Sequence, residues 1–312
     1  MKVFVFDPLW PQLNSAAHKD QLKHVGIELS VTTEADKLNA NSDLFSDQSP
    51  KILAVNPDYV NWSLPSSVFK DIPNLKCIIT QSTSYGWIDT DYAKSHDIAV
   101  CNIRNFSTDA VADWAVMMML NVARKIPLLI KAKFPLNFTG DFSTYQGINL
   151  KGKTAGIIGL GNIGQAIGER CHGLGMNVIY WNRSPRNNPW KKSDLPDLFK
   201  VSDVIFPCMA DTEETHHIMT DDLLKSMKPS AIMASIVHKY YNHDLVLDMV
   251  KSGRFYGYGF EADPSSFDKY DGNVWAAPAY GWCTNGSMEK AMNLFVDAII
   301  NAAAQKYPTR VN

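Results

Sequence analysis

The sequence lacks long hydrophobic runs and a strong excess of either charge. No window approaches the roughly 18 apolar residues that span a bilayer, and the apolar N-terminal run in MKVFVFDPLW is too short for a secretory signal. The 30 basic residues nearly balance the 32 acidic ones, for a net charge of −2, and they form no long basic run. We therefore expect neither a membrane nor a nucleic-acid partner.

Closely spaced cysteines are also missing. The five cysteines are dispersed without a CxxC pair, which is typical of reduced thiols and predicts a cytoplasmic location. His216 and His217 are adjacent, and their spacing from the neighbouring carboxylates and cysteines is not that of a metal-ligand set, so no metal site is predicted. Because no GxSxG sequence is present, a serine nucleophile is disfavoured as well.

The length and the spacing of apolar runs indicate two α/β domains. At 312 residues the chain exceeds the size at which single cores stop growing. Short runs rich in β-branched residues alternate with helix-length segments, which is typical of βαβ units and parallel sheets. One series is KVFVFD, KILAVN, LKCIITQS and IAVCN, and a second, starting near Thr154, is TAGIIGLG, NVIYWN, VIFPCM, AIMASIV and FYGYGFE. Between the two series, residues 107–126 predict one long buried helix.

A glycine-rich segment indicates a dinucleotide site. GIIGLGNIGQAIG places Gly159, Gly161 and Gly164 in a GxGxxG after a predicted strand and at the start of a predicted helix. Such glycines allow a tight turn and let the backbone approach a pyrophosphate at the helix N-terminus. The following run, NVIYWN, supplies the next strand that the motif requires. Dinucleotide binding is therefore predicted.

The end of that next strand bears on the choice between NAD and NADP. About 18 residues beyond Gly164, where NAD sites carry Asp or Glu, the chain has Asn182, Arg183 and Ser184. A guanidinium and a hydroxyl can bind a 2′-phosphate, which a carboxylate would repel. We expect NADP to be preferred over NAD, with a solvated arginine at a strand end as the alternative.

Several segments together resemble the D-isomer-specific 2-hydroxyacid dehydrogenase family over nearly the whole chain. In family order they are NLKCIIT, STDAVADWAV, LKGKTAGIIGLGNIGQAIG, SDVIFPCMADTEETHHIM, LLKSMKPSAIMAS and KSGRFYGYG. The resemblance implies an α/β fold of two Rossmann-like or flavodoxin-like domains, with doubly wound parallel sheets and a cleft between them. It also implies a substrate domain of residues 1–101 plus 285–312, a dinucleotide-binding domain of residues 102–284, and a homodimer. Further positions expected at the cofactor are Thr108, Asn162, Ile163, Cys208, Thr215 and Glu261.

The catalytic residues implied by the resemblance are not reproduced. Family members hold the substrate carboxylate with an Arg, use a His as general acid and base, and orient that His with a carboxylate. The Arg position falls on His238 when counted from MKPSA and on Val237 when counted from KSGRF. The His position falls on Ala279, which cannot transfer a proton.

Other residues are candidates to replace this apparatus. Tyr280 follows Ala279 and is a candidate acid, with aromatic packing as the alternative. His238, when protonated, could hold an anionic group. In the family, the carboxylate that orients the His directly precedes a proline, and Asp263 corresponds to it in this chain. Glu261 better matches another acidic residue of the family, which lies near the nicotinamide amide.

The loop TQSTSYGWID is the candidate substrate loop. Compared with the family it replaces two glycines by Ser82 and Ser84, whose hydroxyls could bind a carboxylate or carbonyl. Tyr85, Trp87 and Trp282 would narrow the pocket or offer a stacking face. We expect a small-molecule substrate that is anionic, larger than the usual substrates of the family and aromatic. The alternative is that these aromatic residues pack between the domains.

These observations favour an NADP(H)-dependent oxidoreductase that reduces a 2-oxo acid or related carbonyl compound with a non-standard proton donor. One alternative is a lyase, hydrolase or isomerase that keeps a bound nicotinamide cofactor. The other is a non-catalytic NADP(H) sensor. Loss of the family Arg and His is compatible with all three.

Overall fold

The computed structural model describes residues 1–34, 38–133, 142–210, 214–216, 218–238, 240–261 and 269–312. The chain divides into two compact units, one of Met1–Ser107 with Thr284–Asn312 and the other of Thr108–Cys283. In the described parts of the chain, no helix is both long and apolar enough to cross a membrane.

The first unit is built on five parallel strands. They are Lys2–Phe6 (β1), Glu28–Thr32 (β2), Lys51–Val55 (β3), Leu75–Thr80 (β4) and Ala99–Cys101 (β5), in the sheet order β2-β1-β3-β4-β5. Its helices are Trp10–Leu13 (α1), Ala16–His24 (α2), Ser42–Ser46 (α3), Ser66–Phe69 (α4), Thr90–Ser95 (α5) and Asn285–Ala303 (α12), with a 3-10 turn at Pro57–Val60. The edge strand β2 is not among the strands predicted from the sequence, because it is largely solvent-exposed and has no continuous apolar run.

Apolar side chains cover both faces of this sheet, as a parallel sheet requires. Val3 and Val5 of β1 point into one core and Phe4 and Phe6 into the other. The long helix α12 covers the first of these faces, where it packs against β3 and β4 and fully buries Phe295. The alternation of side chains along each strand thus gives two cores for one sheet.

The second unit has seven parallel strands. They are Thr154–Ile158 (β6), Asn177–Trp181 (β7), Lys191–Lys192 (β8), Val204–Pro207 (β9), Ile232–Ser235 (β10), Gly257–Glu261 (β11) and Val274–Ala277 (β12), in the order β12-β11-β10-β9-β6-β7-β8. Its helices are Thr108–Ala123 (α6), Ile126–Lys131 (α7), Asn162–Gly173 (α8), Leu195–Val201 (α9), Asp221–Lys225 (α10) and His243–Lys251 (α11), with a 3-10 turn at Phe142–Thr144. Buried clusters lie on both faces of this sheet too. The predicted α/β fold with doubly wound parallel sheets is confirmed.

The helix predicted over residues 107–126 is instead two helices. Helix α6 ends at Ala123, and Lys125 adopts a left-handed conformation with φ of 52° before α7 begins. Pro127 then lies in the first turn of α7, where its missing N–H costs no hydrogen bond. The Lys125 ammonium donates to the carbonyls of Ser143 and Thr144 at 3.2 and 3.0 Å, which stabilises the break.

Each sheet has a point where the connections of two neighbouring strands run in opposite directions. In the first unit these strands are β1 and β3, and in the second they are β6 and β9. Loops diverge at such a point and leave a crevice at the carboxyl ends of the strands, where α/β proteins bind ligands. Asp7 and Asn56 follow the strands in the first unit, and Gly159 and Cys208 follow them in the second.

Candidate functional site

The glycine loop joins β6 to α8 at the crevice of the second unit. Gly159 has φ of +96°, and its N–H donates to the Trp181 carbonyl at 2.8 Å. A Cβ at Gly159 would lie 2.9 Å from the Met209 nitrogen and 3.0 Å from the Cys208 carbonyl. Only glycine combines this positive φ with so little space.

The other two glycines of the motif have opposite surroundings. A Cβ at Gly164 would lie 2.2 Å from the Gly159 carbonyl oxygen, whereas a Cβ at Gly161 would meet no atom within 4 Å. Gly161 is the N-cap of α8, and no side chain caps that helix. Open space beside an uncapped helix N-terminus is what a pyrophosphate needs. The loop therefore fits a dinucleotide.

A cavity of about 360 Å³ extends from this loop along the ends of β7 and β9. The residues that line it and were predicted to bind the cofactor are Gly159, Gly161, Asn182, Arg183, Ser184, Cys208 and Thr215. Those that sequence reasoning missed are Trp181, Arg186, Met209, Ala210, Glu214 and Ile218. Of the other predicted cofactor residues, Asn162, Ile163 and Gly164 lie in the first turn of α8. Thr108 begins α6 and Glu261 ends β11, and neither is among the described residues that line the cavity.

Hydrogen bonds hold the polar wall of the cavity in place. Asn182 accepts from the Leu160 N–H at 3.2 Å and donates to the Ser184 carbonyl at 2.9 Å, so it ties the glycine loop to the end of β7. The Thr215 hydroxyl donates to the Ala210 carbonyl at 2.7 Å. Burial raises the pKa of the Cys208 thiol, which is therefore neutral and contributes only shape.

Charged groups meet at the end of β7. Arg183 Nη1 lies 2.6 Å from Glu214 Oε2, and both side chains are exposed. Arg186 lines the same cavity. Sequence reasoning missed Glu214 because it lies 31 positions from Arg183 in a polar segment, and no local pattern predicts the pairing. The cavity therefore contains two guanidinium groups and one carboxylate.

A half-buried carboxyl group lies at the carboxyl end of β11. Glu261 Oε1 accepts a hydrogen bond from the Gly281 N–H at 3.1 Å. Burial raises the pKa of Glu261 to about 7, although the hydrogen bond from Gly281 acts in the opposite direction. Trp114 of α6 packs against the same glycine, where a Cβ would lie 3.0 Å from its ring. Glu261 can therefore donate a proton near neutral pH.

His238 lies just beyond β10 as one of two neighbouring histidines. Its ring centroid is 4.8 Å from that of His243, the first residue of α11. His243 Nδ1 lies 3.0 Å from the Tyr258 hydroxyl. Burial, with a smaller effect from His238, lowers the pKa of His243 to about 4, while Asp244 acts in the opposite direction. His243 is thus neutral at physiological pH.

The segment after β12 contains the predicted substitute acid. Ala279, which the sequence prediction aligns with the family histidine, accepts a hydrogen bond at its carbonyl from the Trp282 indole at 3.1 Å. The Tyr280 side chain is 57% exposed. Asp263, the other predicted carboxylate, lies outside the described residues. Within the described parts of the chain, no group of three His, Cys, Asp or Glu side chains could hold a metal ion.

The candidate substrate loop follows β4 in the first unit. The buried Ser82 hydroxyl lies 2.7 Å from that of Thr80 and donates to the Ser84 carbonyl at 2.6 Å. That same carbonyl accepts from the Trp87 indole at 3.0 Å. Tyr85 is 38% exposed. Ser82 and Trp87 therefore shape the loop, and its exposed residues are Thr83, Ser84, Tyr85 and Gly86.

A polar cluster that sequence reasoning missed lies at the crevice of the same unit. Asn56 donates to Asp7 Oδ1 at 2.9 Å and to Gln81 Oε1 at 3.0 Å. Burial raises the pKa of Asp7, and hydrogen bonds from Leu9 and Asn56 oppose that effect. The available signal was that each of these three residues is the first polar residue after an apolar strand.

Comparison with known proteins gives consistent matches. The model of the D-isomer specific 2-hydroxyacid dehydrogenase, NAD binding domain, matches residues 116–275. A glyoxylate reductase from Thermococcus gammatolerans is 31% identical over 259 residues, which are 76% of each chain. An acyclic imino acid reductase, solved with NADPH and D-Arg, has a TM-score of 0.81 and 26% identity over the whole of both chains. D-2-hydroxyisocaproate dehydrogenase shares the fold, with a TM-score of 0.80 at 20% identity over 100% of this chain and 99% of that chain.

Two alanine substitutions test the glycine loop. Gly164→Ala should lower the melting temperature of the cofactor-free protein, because its methyl group clashes with the Gly159 carbonyl at a cost of about 1–3 kcal/mol. Gly161→Ala adds the same methyl group where no atom lies within 4 Å. It should leave the melting temperature unchanged but weaken NADPH binding at least about tenfold. Thermal unfolding and NADPH fluorescence titration measure both effects. Wild-type NADPH affinity in Gly161→Ala would show that the pyrophosphate binds elsewhere.

The raised pKa of Glu261 predicts a pH-dependent stability. The folded protein holds this proton more tightly than the unfolded chain, so the contribution of Glu261 is present below its ordinary pKa of 4.5 and is lost as the pH rises through about 7. From about pH 5 to about pH 8, wild type should lose up to about 2–3 kcal/mol of unfolding free energy relative to Glu261→Gln. Urea unfolding at each pH measures this difference, with the exposed Glu289→Gln as the control. Parallel pH profiles of wild type and Glu261→Gln would contradict the assignment.

Proposed function

Since this chain belongs to the D-isomer-specific 2-hydroxyacid dehydrogenase family and is therefore an NAD(P)-dependent oxidoreductase, we propose that it reduces a 2-oxo acid with NADPH. The observation that carries this proposal is the cavity beside the open N-terminus of α8, which has Arg183 and Arg186 in its wall. Similarity to a glyoxylate reductase supports a 2-oxo acid as the substrate class.

Separate groups in the cavity suit the two charged parts of the cofactor. The first turn of α8 would hold the pyrophosphate through its amides. Arg183, Ser184 and Arg186 would hold the 2′-phosphate, because guanidinium groups bind phosphate oxygens in pairs. When bound, NADPH supplies the hydride that reduces the carbon next to the substrate carboxylate.

An anionic substrate needs a cation and hydrogen-bond donors. We assign the cationic role to protonated His238, which stands beside a neutral second histidine and therefore meets no repelling charge from it. In the first unit, Ser84 and Tyr85 are exposed residues of the loop after β4, and we assign them as groups that bind substrate. Trp282, on the segment after β12 of the second unit, is a further aromatic candidate for substrate binding. Larger 2-oxo acids suit these two aromatic side chains better than glyoxylate does.

Reduction of a 2-oxo acid leaves a negative charge on oxygen that must take up a proton. Ala279 cannot supply it. We assign this role to Glu261, because a carboxyl group with a pKa of about 7 is half-protonated at neutral pH and matches what a general acid needs. Tyr280 is the alternative donor, and its exposed side chain is free to reach a ligand.

A second candidate function is reduction of a 2-imino acid. Similarity to the acyclic imino acid reductase and the alanine at position 279 favour it. A protonated imine already carries its proton on nitrogen, so hydride addition gives a neutral amine and needs no general acid. Loss of the family histidine is therefore less damaging to this reaction than to 2-oxo acid reduction.

One assay separates these reactions. NADPH fluorescence should rise when protein is added and then decay with glyoxylate, hydroxypyruvate or phenylpyruvate. The same acids are tested with and without methylamine at constant pH, and methylamine alone is the control. Decay without amine supports 2-oxo acid reduction, and decay only with amine supports imine reduction. Fluorescence that rises but never decays would exclude both and favour a non-redox enzyme or a sensor.

Three variants test the residue roles with the best substrate from that assay. Glu261→Gln should lower kcat about 100-fold by removing the proton donor. Tyr280→Phe should change kcat less than about threefold if Glu261 is that donor. His238→Ala should raise KM about tenfold, because it removes the cation that binds the substrate. NADPH affinity should stay constant in all three. The opposite ranking of Glu261→Gln and Tyr280→Phe would assign the proton to Tyr280.

A further inference from the structure

Glu214 is the acidic member of the described residues that line the cofactor cavity. It belongs to the segment after β9 and reaches Arg183 at the end of β7 with a nitrogen–oxygen distance of 2.6 Å. The two side chains are 82% and 75% exposed, Arg183 being the more exposed. A carboxylate and a guanidinium thus meet at the place proposed for the 2′-phosphate on the adenosine ribose.

Arg183 can leave Glu214 for another anion with little loss of free energy. Ion pairs as exposed as this one are weak, since water competes for both partners. A ribose 2′-phosphate carries a charge of about −1.5 to −2 at neutral pH and offers three acceptor oxygens. Arg183 would therefore leave Glu214 for the phosphate. The displaced carboxylate would then stand beside the phosphate and repel it.

The same carboxylate favours the cofactor that lacks the phosphate. NAD sites carry an acidic residue at the end of the second strand to accept hydrogen bonds from the ribose hydroxyls. This chain has Asn182 and Arg183 at that strand end, but Glu214 brings a carboxylate to the same cavity from a different loop. The tertiary structure thus supplies the acidic group that the strand end lacks.

We propose that Glu214 sets the balance between NADPH and NADH in this protein. It stays paired with Arg183 and accepts a hydrogen bond from a ribose hydroxyl when NADH binds, and it releases Arg183 to the 2′-phosphate when NADPH binds. Glu214 therefore weakens NADPH binding and strengthens NADH binding, and wild type should use both cofactors. The inference rests on the proposed use of this cavity by a nicotinamide dinucleotide.

Fluorescence titrations with NADPH and NADH, without any substrate, measure the effect. The quantity compared is the Kd for NADH divided by the Kd for NADPH. Glu214→Gln should raise this ratio about fivefold, the size expected for one exposed charge pair. Arg183→Gln should lower it about tenfold through loss of the phosphate contact. Asp271→Asn is the matched control, since Asp271 forms another exposed pair with Lys251 at 3.0 Å outside the cavity, and it should leave the ratio unchanged.

A second readout uses a fragment that carries the 2′-phosphate. Adenosine 2′,5′-bisphosphate should raise the melting temperature of Glu214→Gln more than that of wild type, and that of Arg183→Gln least. Melting temperatures without ligand establish that the variants are folded.

The outcomes distinguish this inference from the proposed reaction. A ratio in Glu214→Gln within about twofold of wild type would overturn the role of Glu214, whatever substrates are turned over. Binding of both cofactors with the predicted shift, but no turnover, would overturn the proposed reaction and support the role of Glu214. If neither cofactor binds to wild type, both proposals are wrong.

Discussion

The contact between the first turn of helix α8 and the end of strand β6 is the constraint on which the cofactor site depends. Gly164 has no side chain, so the helix lies where a Cβ would be 2.2 Å from the Gly159 carbonyl oxygen. This contact holds the N-terminus of α8 at the crevice between β6 and β9. The carboxyl ends of β7 and β9 bring Asn182 and Cys208 to the same loop. Backbone geometry alone therefore forms the proposed pyrophosphate site, without a contribution from charged side chains.

Side chains have the corresponding role at the crevice of the first unit. Asn56 links Asp7 and Gln81 across the ends of three neighbouring strands. The loop that follows Gln81 is then held internally by Ser82. A buried, hydrogen-bonded network of this kind restrains the loop after β4, because breaking it would leave polar groups unpaired. The candidate substrate residues thus lie on a loop of defined shape.

The proposed chemistry depends on how burial changes ordinary acid and base groups. Glu261 has a pKa near neutrality because it is partly buried with one hydrogen bond from Gly281. His243 is neutral because burial opposes its protonation. In the proposed cofactor cavity, Arg183 and Glu214 are both exposed, so the ion pair between them is weak. The proposed proton donor is therefore a partly buried group, whereas the residues proposed to bind the phosphate are exposed.

Local sequence patterns determined the parallel α/β fold, most strands of both sheets and the glycine loop, because strand runs and GxGxxG spacing are signals between near neighbours. They did not separate α6 from α7 at Lys125, which adopts a left-handed conformation and donates to the carbonyls of Ser143 and Thr144. They also missed the edge strand β2, Asp7 and Glu214. Only the tertiary structure decided that a glutamate 31 positions from Arg183 shares its cavity. The physical reason is that parallel strands bring the ends of distant segments to one edge of the sheet, and no local spacing records which side chains meet there.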